Sequence, residues 1–298
     1  MKSILKINIA VLSFILAVLV GFNPLMAQDE TEEKAPDNRP ARDAFESAQF
    51  IDNHTSLVYD KGTLEMNMQH RFGVVDNGIS DVFGIYGPSN IRIGFAYAPI
   101  DKLNVGFGYT KNKQYLDLNG KYAILQQARS GGMPVNVTYY GNLAFDLRDE
   151  NNFSHTSDRM TSFNQIIVSR RLNSKFSVQV APSISHFNAV EGFVNREGKI
   201  EGTMNNNHIA VHAGGRFKFS GQSSIIVGYN QPITEHATNN PQPSISLGAE
   251  VATSSHAFQI FFTNFNSLVP QENNMFNQND YADGDWLIGF NITRLWNF

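Results

Sequence analysis

Alternation between apolar and polar residues recurs along this chain, and no other feature limits its fold so strongly. In TLEMNMQHRF (residues 63–72), Leu64, Met66 and Met68 fall on one face, and the residues between them are polar. Successive side chains of a strand point to opposite sides of a sheet, so a period of two predicts a β-strand with one apolar and one polar face. The same pattern occurs in residues 90–98, 103–110, 115–125, 135–146, 176–186, 208–217, 224–230, 244–252, 257–264 and 286–298, and less cleanly in residues 160–170.

The gaps between these segments are alternately short and long. The even-numbered segments are followed by the tight-turn sequences PIDK, LNSK, KFSGQS and TSSH, and by the somewhat longer QQARSGGMP. The odd-numbered segments are followed by long gaps such as FNAVEGFVNREGKIEGTMNNN, with KNKQ as the exception. The chain is therefore predicted to be all-β, with a single antiparallel transmembrane β-barrel of about 12 strands over residues 63–298, short periplasmic turns and long external loops.

A soluble β-sandwich is the alternative, because it also contains alternating strands. Its exposed faces should be rich in charged residues, yet charged residues make up only 17% of this chain, against about 25% in ordinary soluble domains. The polar faces here consist mostly of Asn, Ser, Thr, Gly and Gln, and aromatic residues lie near the strand ends on the apolar faces. Both features favour a barrel whose apolar face contacts lipid.

The N-terminus has the three parts of a secretory signal peptide, with an uncleaved membrane anchor as the alternative. Lys2 and Lys6 precede the apolar run 7–22, and LMA comes just before the expected cleavage site ahead of Gln28. The predicted divisions are a signal peptide (1–27), a flexible polar leader (28–48), a pre-barrel segment that could plug the lumen (49–62) and the barrel (63–298). Because the strand count is even, we expect an outer-membrane protein of a bacterium with both barrel termini in the periplasm.

The chain ends in WLIGFNITRLWNF, a predicted strand with Trp296 and Phe298 on its apolar face. A C-terminal strand with a final aromatic residue resembles the sequence that the outer-membrane assembly machinery recognises, so Trp296 and Phe298 are predicted to form an assembly signal. Arg294 interrupts the apolar face, but it lies close enough to the strand end for its charged head to reach water. The expected partners are therefore outer-membrane lipid and the barrel assembly machinery.

From about residue 40 onward, the chain resembles an uncharacterised outer-membrane β-barrel family, a domain of unknown function that is common in Bacteroidota. The resemblance is carried by DNHTSLVYDKGTLEMNMQHRFG, IRIGFAYAPIDKLNVGFGYTK, SVQVAPSISHF, ATSSHAFQIF and IGFNITRLWNF. It implies the barrel fold and the membrane location. It implies no activity, because the family has no established one.

The sequence offers little chemistry for catalysis or metal binding. With no cysteine and a net charge of −4, it has no thiolate metal site, no cysteine nucleophile and no basic footprint for nucleic acid. His208 and His212 share one strand face, but at about 3.3 Å per residue they lie roughly 13 Å apart, too far to share a metal ion. His256 follows two serines in a predicted turn without an acidic partner. We therefore predict no catalytic residue, no metal site and no cofactor.

The polar strand faces predict which residues line the lumen. The acidic residues are Glu65, Asp117, Asp146 and Glu250, the basic residues are Arg71, Arg92, Lys121 and Arg216, and His208 and His212 join them. Equal numbers of acids and bases favour ion pairs across the lumen over strong ion selectivity. Barrels of about eight strands are filled by side chains and those of about 16 hold water channels, so twelve strands leave open a narrow pore, a ligand cavity or a plugged lumen.

The leading hypothesis for function is a passive pore or transporter for small solutes with weak ion selectivity, which fits the fold and the largely uncharged polar lumen. The alternative is a structural or ligand-binding barrel that acts through its long external loops, which are rich in Asn, Phe and Tyr. A remote alternative is a membrane-embedded hydrolase, although no Ser–His–acid set is visible. The sequence identifies neither a solute nor an external ligand.

Overall fold

A computed structural model describes residues 37–298 of the protein. The predicted signal peptide (1–27) and residues 28–36 of the predicted leader lie outside the described residues. The strands are β1 (Gln49–Phe50), β2 (Asn53–His54), β3 (Thr63–Val74), β4 (Asn90–Ile100), β5 (Leu103–Thr110), β6 (Tyr115–Leu125), β7 (Asn136–Asp146), β8 (Met160–Arg171), β9 (Phe176–Phe187), β10 (Gly192–Val194), β11 (Ile200–Thr203), β12 (Asn207–Lys218), β13 (Ser223–Pro232), β14 (Ser244–Ala252), β15 (His256–Thr263) and β16 (Leu287–Asn297).

Strands β3–β9 and β12–β16 form one closed antiparallel barrel. Each of these strands pairs with the barrel strands that precede and follow it, so that β9 pairs with β12, and the ring closes where β16 pairs with β3, from Asn297 opposite Thr63 to Leu287 opposite Val74. The predicted barrel and its strand count are confirmed, and the least clean of the predicted strands is β8. Because the ring has no free edge, each strand has a hydrogen-bonding partner on both sides, which is what a sheet needs in order to span lipid.

The two ends of the barrel differ as predicted. Strands β4 and β5 are joined only by Asp101 and Lys102, and the other short connections, except residues 111–114 between β5 and β6, lie at the same end, which we call the turn end. The start of β3 and the end of β16 also lie there, where Phe298 N donates to Gly62 O at 3.2 Å. The opposite end, the loop end, carries the long connections 75–89, 188–206 and 264–286.

Two loop-end connections contain further structure. The connection 188–206 includes the antiparallel pair β10–β11, and the connection 264–286 includes the helix Pro270–Phe276. Within residues 37–298, no helix combines the length and the apolar character needed to cross a membrane.

Burial follows the alternation of residues along each strand. In β3, the residues at odd positions from Thr63 to Gly73 are buried, and those between them are partly exposed. Large apolar side chains such as Phe107, Ile260 and Phe262 point away from the barrel and are exposed. A soluble protein would bury such a belt, whereas lipid covers it at no cost.

Two chain segments fill the lumen from opposite ends. Residues 44–59, the N-terminal insert, enter from the turn end, and residues 264–279, the loop insert, fold in from the loop end; Ile51, Gln271 and Met275 are each 0% exposed. Packing begins at Ala44, within the predicted leader (28–48), because Ala44, Phe45 and Ala48 are also buried. In residues 44–48 the apolar residues are few and lie close to charged ones, so the sequence of this segment resembles that of the polar leader.

Glycine residues in the barrel wall, such as Gly289, leave space for large side chains in the lumen. A Cβ at Gly289 would lie 2.5 Å from the Phe261 ring and 2.9 Å from the His70 carbonyl oxygen, whereas a Cβ at Gly215 would meet nothing nearer than 4.0 Å. Gly289→Ala should therefore destabilise the barrel by about 1–3 kcal/mol through overpacking. Gly215→Ala is the matched control and should be neutral.

The measurement is the temperature at which the folded barrel converts to the unfolded form on SDS gels. Gly289→Ala should lower that temperature relative to both the wild type and Gly215→Ala. Equal temperatures for the two variants would mean that the close contact at Gly289 does not limit packing.

Candidate functional site in the filled lumen

The N-terminal insert enters and leaves the lumen by the same end. Before it, Ala41 N donates to Gln127 O at 2.7 Å in the β6–β7 turn, and after it Gly62 N donates to Ala98 O at 2.9 Å near the end of β4. Between these two anchors, Asp52 reaches Arg71, which lies near the loop end of β3. The insert is therefore a loop that crosses most of the lumen and returns.

Side chains of the wall hold the insert by its carbonyl groups. The carbonyl oxygens of residues 48, 49, 51, 54 and 56 each accept a hydrogen bond from a different barrel strand. The donors are Lys121 Nζ at 3.0 Å, Gln259 Nε2 at 2.9 Å, Asn291 Nδ2 at 2.9 Å, Gln179 Nε2 at 3.0 Å and Thr138 Oγ1 at 3.0 Å, in that order. Strands β1 and β2 are only two residues long, so most carbonyl groups of the insert need such partners when they are buried.

A buried ion pair lies at the deep end of the insert. Arg71 donates to Asp52 Oδ1 from Nε at 3.0 Å and from Nη2 at 2.7 Å, and Thr263 Oγ1 donates to Asp52 Oδ2 at 2.6 Å. The side chains of Arg71 and Asp52 are 1% and 3% exposed. The Arg71 guanidinium also lies 4.5 Å from the centroid of the Phe261 ring. Each charge is thus compensated only while the insert is in place.

Phe50 anchors the insert on a part of the wall that carries no side chains. Gly214 on β12 faces Gly228 on β13, and a Cβ at Gly214 would approach the Phe50 ring to 2.9 Å. The ring also packs edge-on against His212 and Phe45, with centroid distances of 5.5 and 5.4 Å. The missing side chains of the two glycines thus create the space that Phe50 occupies.

The loop insert fills the other half of the lumen with polar side chains. In the helix Pro270–Phe276, residues 271–275 are all buried. Gln271 Nε2 donates to Asn142 Oδ1 at 3.0 Å, Asn274 Nδ2 donates to Ser183 Oγ at 3.1 Å, and Glu272 forms an ion pair with Lys113 at 2.5 Å. These contacts fix the helix against β7, β9 and the connection between β5 and β6.

Two small cavities remain where the inserts meet the wall. One, of about 40 Å³, is lined by His54, Glu65 and Lys121 among others, and the second, of about 10 Å³, touches both Asp52 and Asn273. A single water needs about 10–15 Å³ of such volume. The cavities can therefore hold a few water molecules, and neither can hold a solute.

All ten residues predicted to line the lumen are buried within the barrel. Their exposed fractions run from 0% for Asp117 and His208 to 9% for Arg92. Within the wall, Arg92 and Asp117 form a bidentate pair, with Nε–Oδ2 and Nη2–Oδ1 distances of 2.8 Å. The remaining predicted acids and bases find other partners.

Those other partners come mainly from the inserts and loops. Arg71 pairs with Asp52 and Arg216 with Glu46 of the N-terminal insert, the latter at 3.2 Å, and Asp146 pairs with Arg148 at 2.7 Å. Lys121 and Glu65 contact the insert through the Ala48 carbonyl and the Tyr59 hydroxyl, and Glu250 accepts from Gln259 at 2.7 Å. Sequence reasoning missed Asp52 and Glu46 because both precede the first barrel strand, β3, and belong to no alternating pattern. The one available clue was FID, two large apolar residues beside an acid.

His208 and His212, which the sequence places on one strand face, contact different residues. His208 Nδ1 lies 2.9 Å from His236 Nε2 in a loop-end connection, whereas His212 contacts Phe50. In the part of the chain that the structure describes, no three His, Asp or Glu side chains are grouped so that they could hold a metal ion. His256 lies 3.3 Å from Ser255 Oγ, and on its other side the Arg294 guanidinium lies at 2.5 Å. A guanidinium cannot accept a hydrogen bond from the imidazole, so Arg294 cannot take the place of the acid in a Ser–His–acid set.

The sequence matches, over residues 45–296, the family described as a membrane bound beta barrel domain, DUF5777. The chain belongs to this family. The resemblance inferred from the sequence is thereby confirmed. The match begins at Phe45, so the family's domain includes the N-terminal insert as well as the barrel wall.

A solved structure shares the fold at low sequence identity. An outer membrane channel from Pseudomonas putida F1 superposes with a TM-score of 0.50 at 9% identity, covering 80% of this chain and 97% of that one. The NanC porin gives a TM-score of 0.48 at 8% identity, covering 79% of this chain and 99% of that one. No sequence among the curated proteins matches this chain.

Loss of the deep ion pair should release the insert. Asp52→Asn leaves the Arg71 charge buried without its partner, a change that costs about 3–5 kcal/mol at buried pairs. The chain has no native cysteine, so Ala48→Cys provides one buried reporter thiol. Its labelling by a water-soluble maleimide should be slow in the otherwise native protein and at least about tenfold faster with Asp52→Asn.

Asp60→Asn is the control for this experiment, because Asp60 is an exposed acid that directly follows the N-terminal insert. That change should leave the labelling rate as it was. Equal rates for Asp52→Asn and Asp60→Asn would show that the ion pair does not hold the insert.

Acidification should also favour release of the insert, because of His54. Burial, together with the charges of Lys121 and Arg92, holds the pKa of His54 well below its usual range. The docked insert therefore keeps His54 neutral, whereas a released His54 takes up a proton below about pH 6.5. From about pH 7.5 to about pH 5.5 the released fraction should rise by up to about tenfold.

The measurement is again the labelling rate of Ala48→Cys, compared with the same protein that also carries His54→Phe. The ratio of the two rates cancels the pH dependence of the thiol itself, and Phe keeps a ring against Tyr140, on which His54 stacks at 3.7 Å. The rate with His54 present, divided by the rate with His54→Phe, should increase as the pH falls. A ratio that stays constant would exclude His54 as the source.

Proposed function

We propose that this protein is an outer-membrane channel for small polar solutes, with its turn end in the periplasm and its loop end outside, and that the two inserts close it. One observation carries the proposal: the lumen is obstructed by two chain segments that are separate from the barrel wall. The wall closes on itself through the β16–β3 pairing, in which neither insert takes part. Displacing the inserts therefore breaks no strand pairing of the barrel wall.

The contacts that hold the N-terminal insert suit a reversible closure. They are mostly single hydrogen bonds from wall side chains, such as those from Gln179 and Thr138. Each contributes about 0.5–1.5 kcal/mol net, and water in an opened lumen would replace each of them. The Arg71–Asp52 pair is the charged contact at the deep end of the insert, and its loss should make release of the insert more frequent.

Solute preference follows from the wall that the insert would uncover. Release removes Asp52 from Arg71 and Glu46 from Arg216, yet the wall keeps four predicted acids and four predicted bases. The Arg92–Asp117 pair stays intact, since both residues belong to the wall. The opened lumen is therefore polar and close to neutral, which favours small hydrophilic solutes and gives weak ion selectivity.

Recording from planar lipid bilayers tests this function. We expect the intact protein to conduct rarely, removal of residues 44–59 or of residues 267–278 to raise conductance, and removal of both to give the largest steady conductance, because the inserts block the lumen from opposite ends. In a salt gradient, the reversal potential of the doubly shortened protein should lie near zero.

Folding of each shortened protein is checked first by its migration on SDS gels before and after heating. Asp60→Asn, which removes an exposed acid and shortens nothing, is the control for conductance. A correctly folded, doubly shortened barrel that never conducts above background would refute the channel.

A ligand-binding barrel is the second candidate, and a cavity at the loop end favours it. This cavity, of about 450 Å³, is lined by Asp76, Lys111 and Asn112 among others, with Phe72 at its side. Its volume lies in the range of small-molecule sites, about 300–1,000 Å³. A fully closed lumen combined with this cavity suits a receptor that acts from its outer face, and a doubly shortened barrel that does not conduct would leave this function standing.

A further inference from the structure

A cleft rich in arginine lies at the turn end, away from the lumen. It has a volume of about 460 Å³ and is lined by Arg42, Arg129 and Arg171, with Gln127, Asn173 and Ser174 between them. Its walls are the segment just before the N-terminal insert, the β6–β7 turn and the β8–β9 turn. Neither the channel nor the loop-end cavity uses these residues.

The walls of the cleft are held in place by backbone contacts. Ala41 N donates to Gln127 O at 2.7 Å, Arg129 N to Arg39 O at 3.0 Å and Ser130 N to Asp37 O at 3.0 Å. Gln127 also links the two turns, because its Nε2 donates to Arg171 O at 3.0 Å and its Oε1 accepts from Arg171 N at 2.8 Å. The cleft is thus built before any ligand arrives.

Its guanidinium groups are poorly matched by acids. Among residues 37–298, the Arg171 guanidinium donates only to the carbonyl oxygens of Asn173 and Asp43, at 3.2 and 3.4 Å, and the carboxylates of Glu46 and Asp43 interact with it electrostatically without a direct hydrogen bond. Arg129 lies 3.8 Å from Asp37, a carboxylate that is already paired with Arg39 at 2.7 Å. Among residues 37–298, Arg42 has no side-chain hydrogen bond or ion pair. All three arginines therefore keep guanidinium N–H groups that could donate to a bound anion.

We propose that this cleft binds a ligand that bears a phosphate group. A guanidinium presents its donors in a planar fork that matches the oxygens of phosphate or carboxylate. Three such forks around one space supply more donors and more charge than a single carboxylate can match, whereas a tetrahedral phosphate has enough acceptor oxygens. Two sources share this chemistry: the headgroup of an anionic phospholipid and a soluble phosphate ester. The lipid source rests on the proposed orientation, in which the turn end lies level with the headgroups of the inner leaflet.

The test uses the full mature chain in a non-ionic detergent and two probes. Native mass spectrometry counts retained phosphatidylglycerol against phosphatidylcholine, which has the same phosphate but no net charge. Calorimetry measures the binding of glycerol phosphate. The variant Arg42→Ala/Arg129→Ala should weaken binding of the active probe by at least about tenfold, since charged hydrogen bonds contribute about 1.5–3 kcal/mol.

Arg196→Ala is the matched control, because Arg196 is also exposed and without a side-chain partner among residues 37–298, but lies at the loop end. It should leave binding unchanged. Preferential retention of phosphatidylglycerol that depends on Arg42 and Arg129 supports the site with a lipid source, and binding of glycerol phosphate alone supports it with a soluble source. Failure of both probes to bind, or equal binding by the double variant, would overturn the proposal. None of these outcomes depends on conductance, so the cleft and the channel are tested separately.

Discussion

Hydrocarbon offers no hydrogen-bonding partner to a backbone group, and the rest of this structure follows from that constraint. Each strand must satisfy its N–H and C=O groups on both sides, which only a closed ring achieves. The pairing of β16 with β3 completes the ring over nearly the full length of both strands. Because the outer face must then be apolar, period-two alternation makes the inner face polar, and a polar inner face needs partners of its own.

The inserts supply those partners. Gln179, Gln259 and Asn291 point into the lumen and donate to backbone carbonyl groups of the N-terminal insert, so wall and insert satisfy each other. The fit is incomplete. Both ring nitrogens of His212 and the Oδ1 of Asn67 are buried and have no hydrogen-bond partner among residues 37–298. Small polar cavities beside such groups are suited to water.

The strands could be predicted because the wall obeys a simple rule over many residues. Alternation through β3 or β5 fixes both the element and the face of each residue, and the unequal gaps fix the two ends. The loop insert could not be predicted in the same way. NNMFNQ is rich in polar residues and reads as a solvated loop, yet residues 271–275 are buried. In a soluble domain polarity separates surface from interior, but inside a polar barrel it does not.

The ion pair between Arg71 and Asp52 lies beyond sequence reasoning for a related reason. Arg71 has a definite face because it sits in a regular strand, whereas Asp52 lies in a segment whose path is set by tertiary contacts alone. An equal balance of charges within the wall therefore says little about which charges meet. The Arg92–Asp117 pair bridges two strands of the wall with one strand between them, and it is the exception.

The route of the N-terminal insert has a topological consequence. Its two anchors, at Gln127 and at Ala98, lie at the same end of the barrel. The chain inside the lumen is therefore a loop that enters and leaves by that end, and it does not pass through the barrel from one end to the other. No chain end has to pass through the ring for this loop to move in or out. The ring can close first and receive the loop afterwards, and the loop can be withdrawn while all twelve strands stay paired.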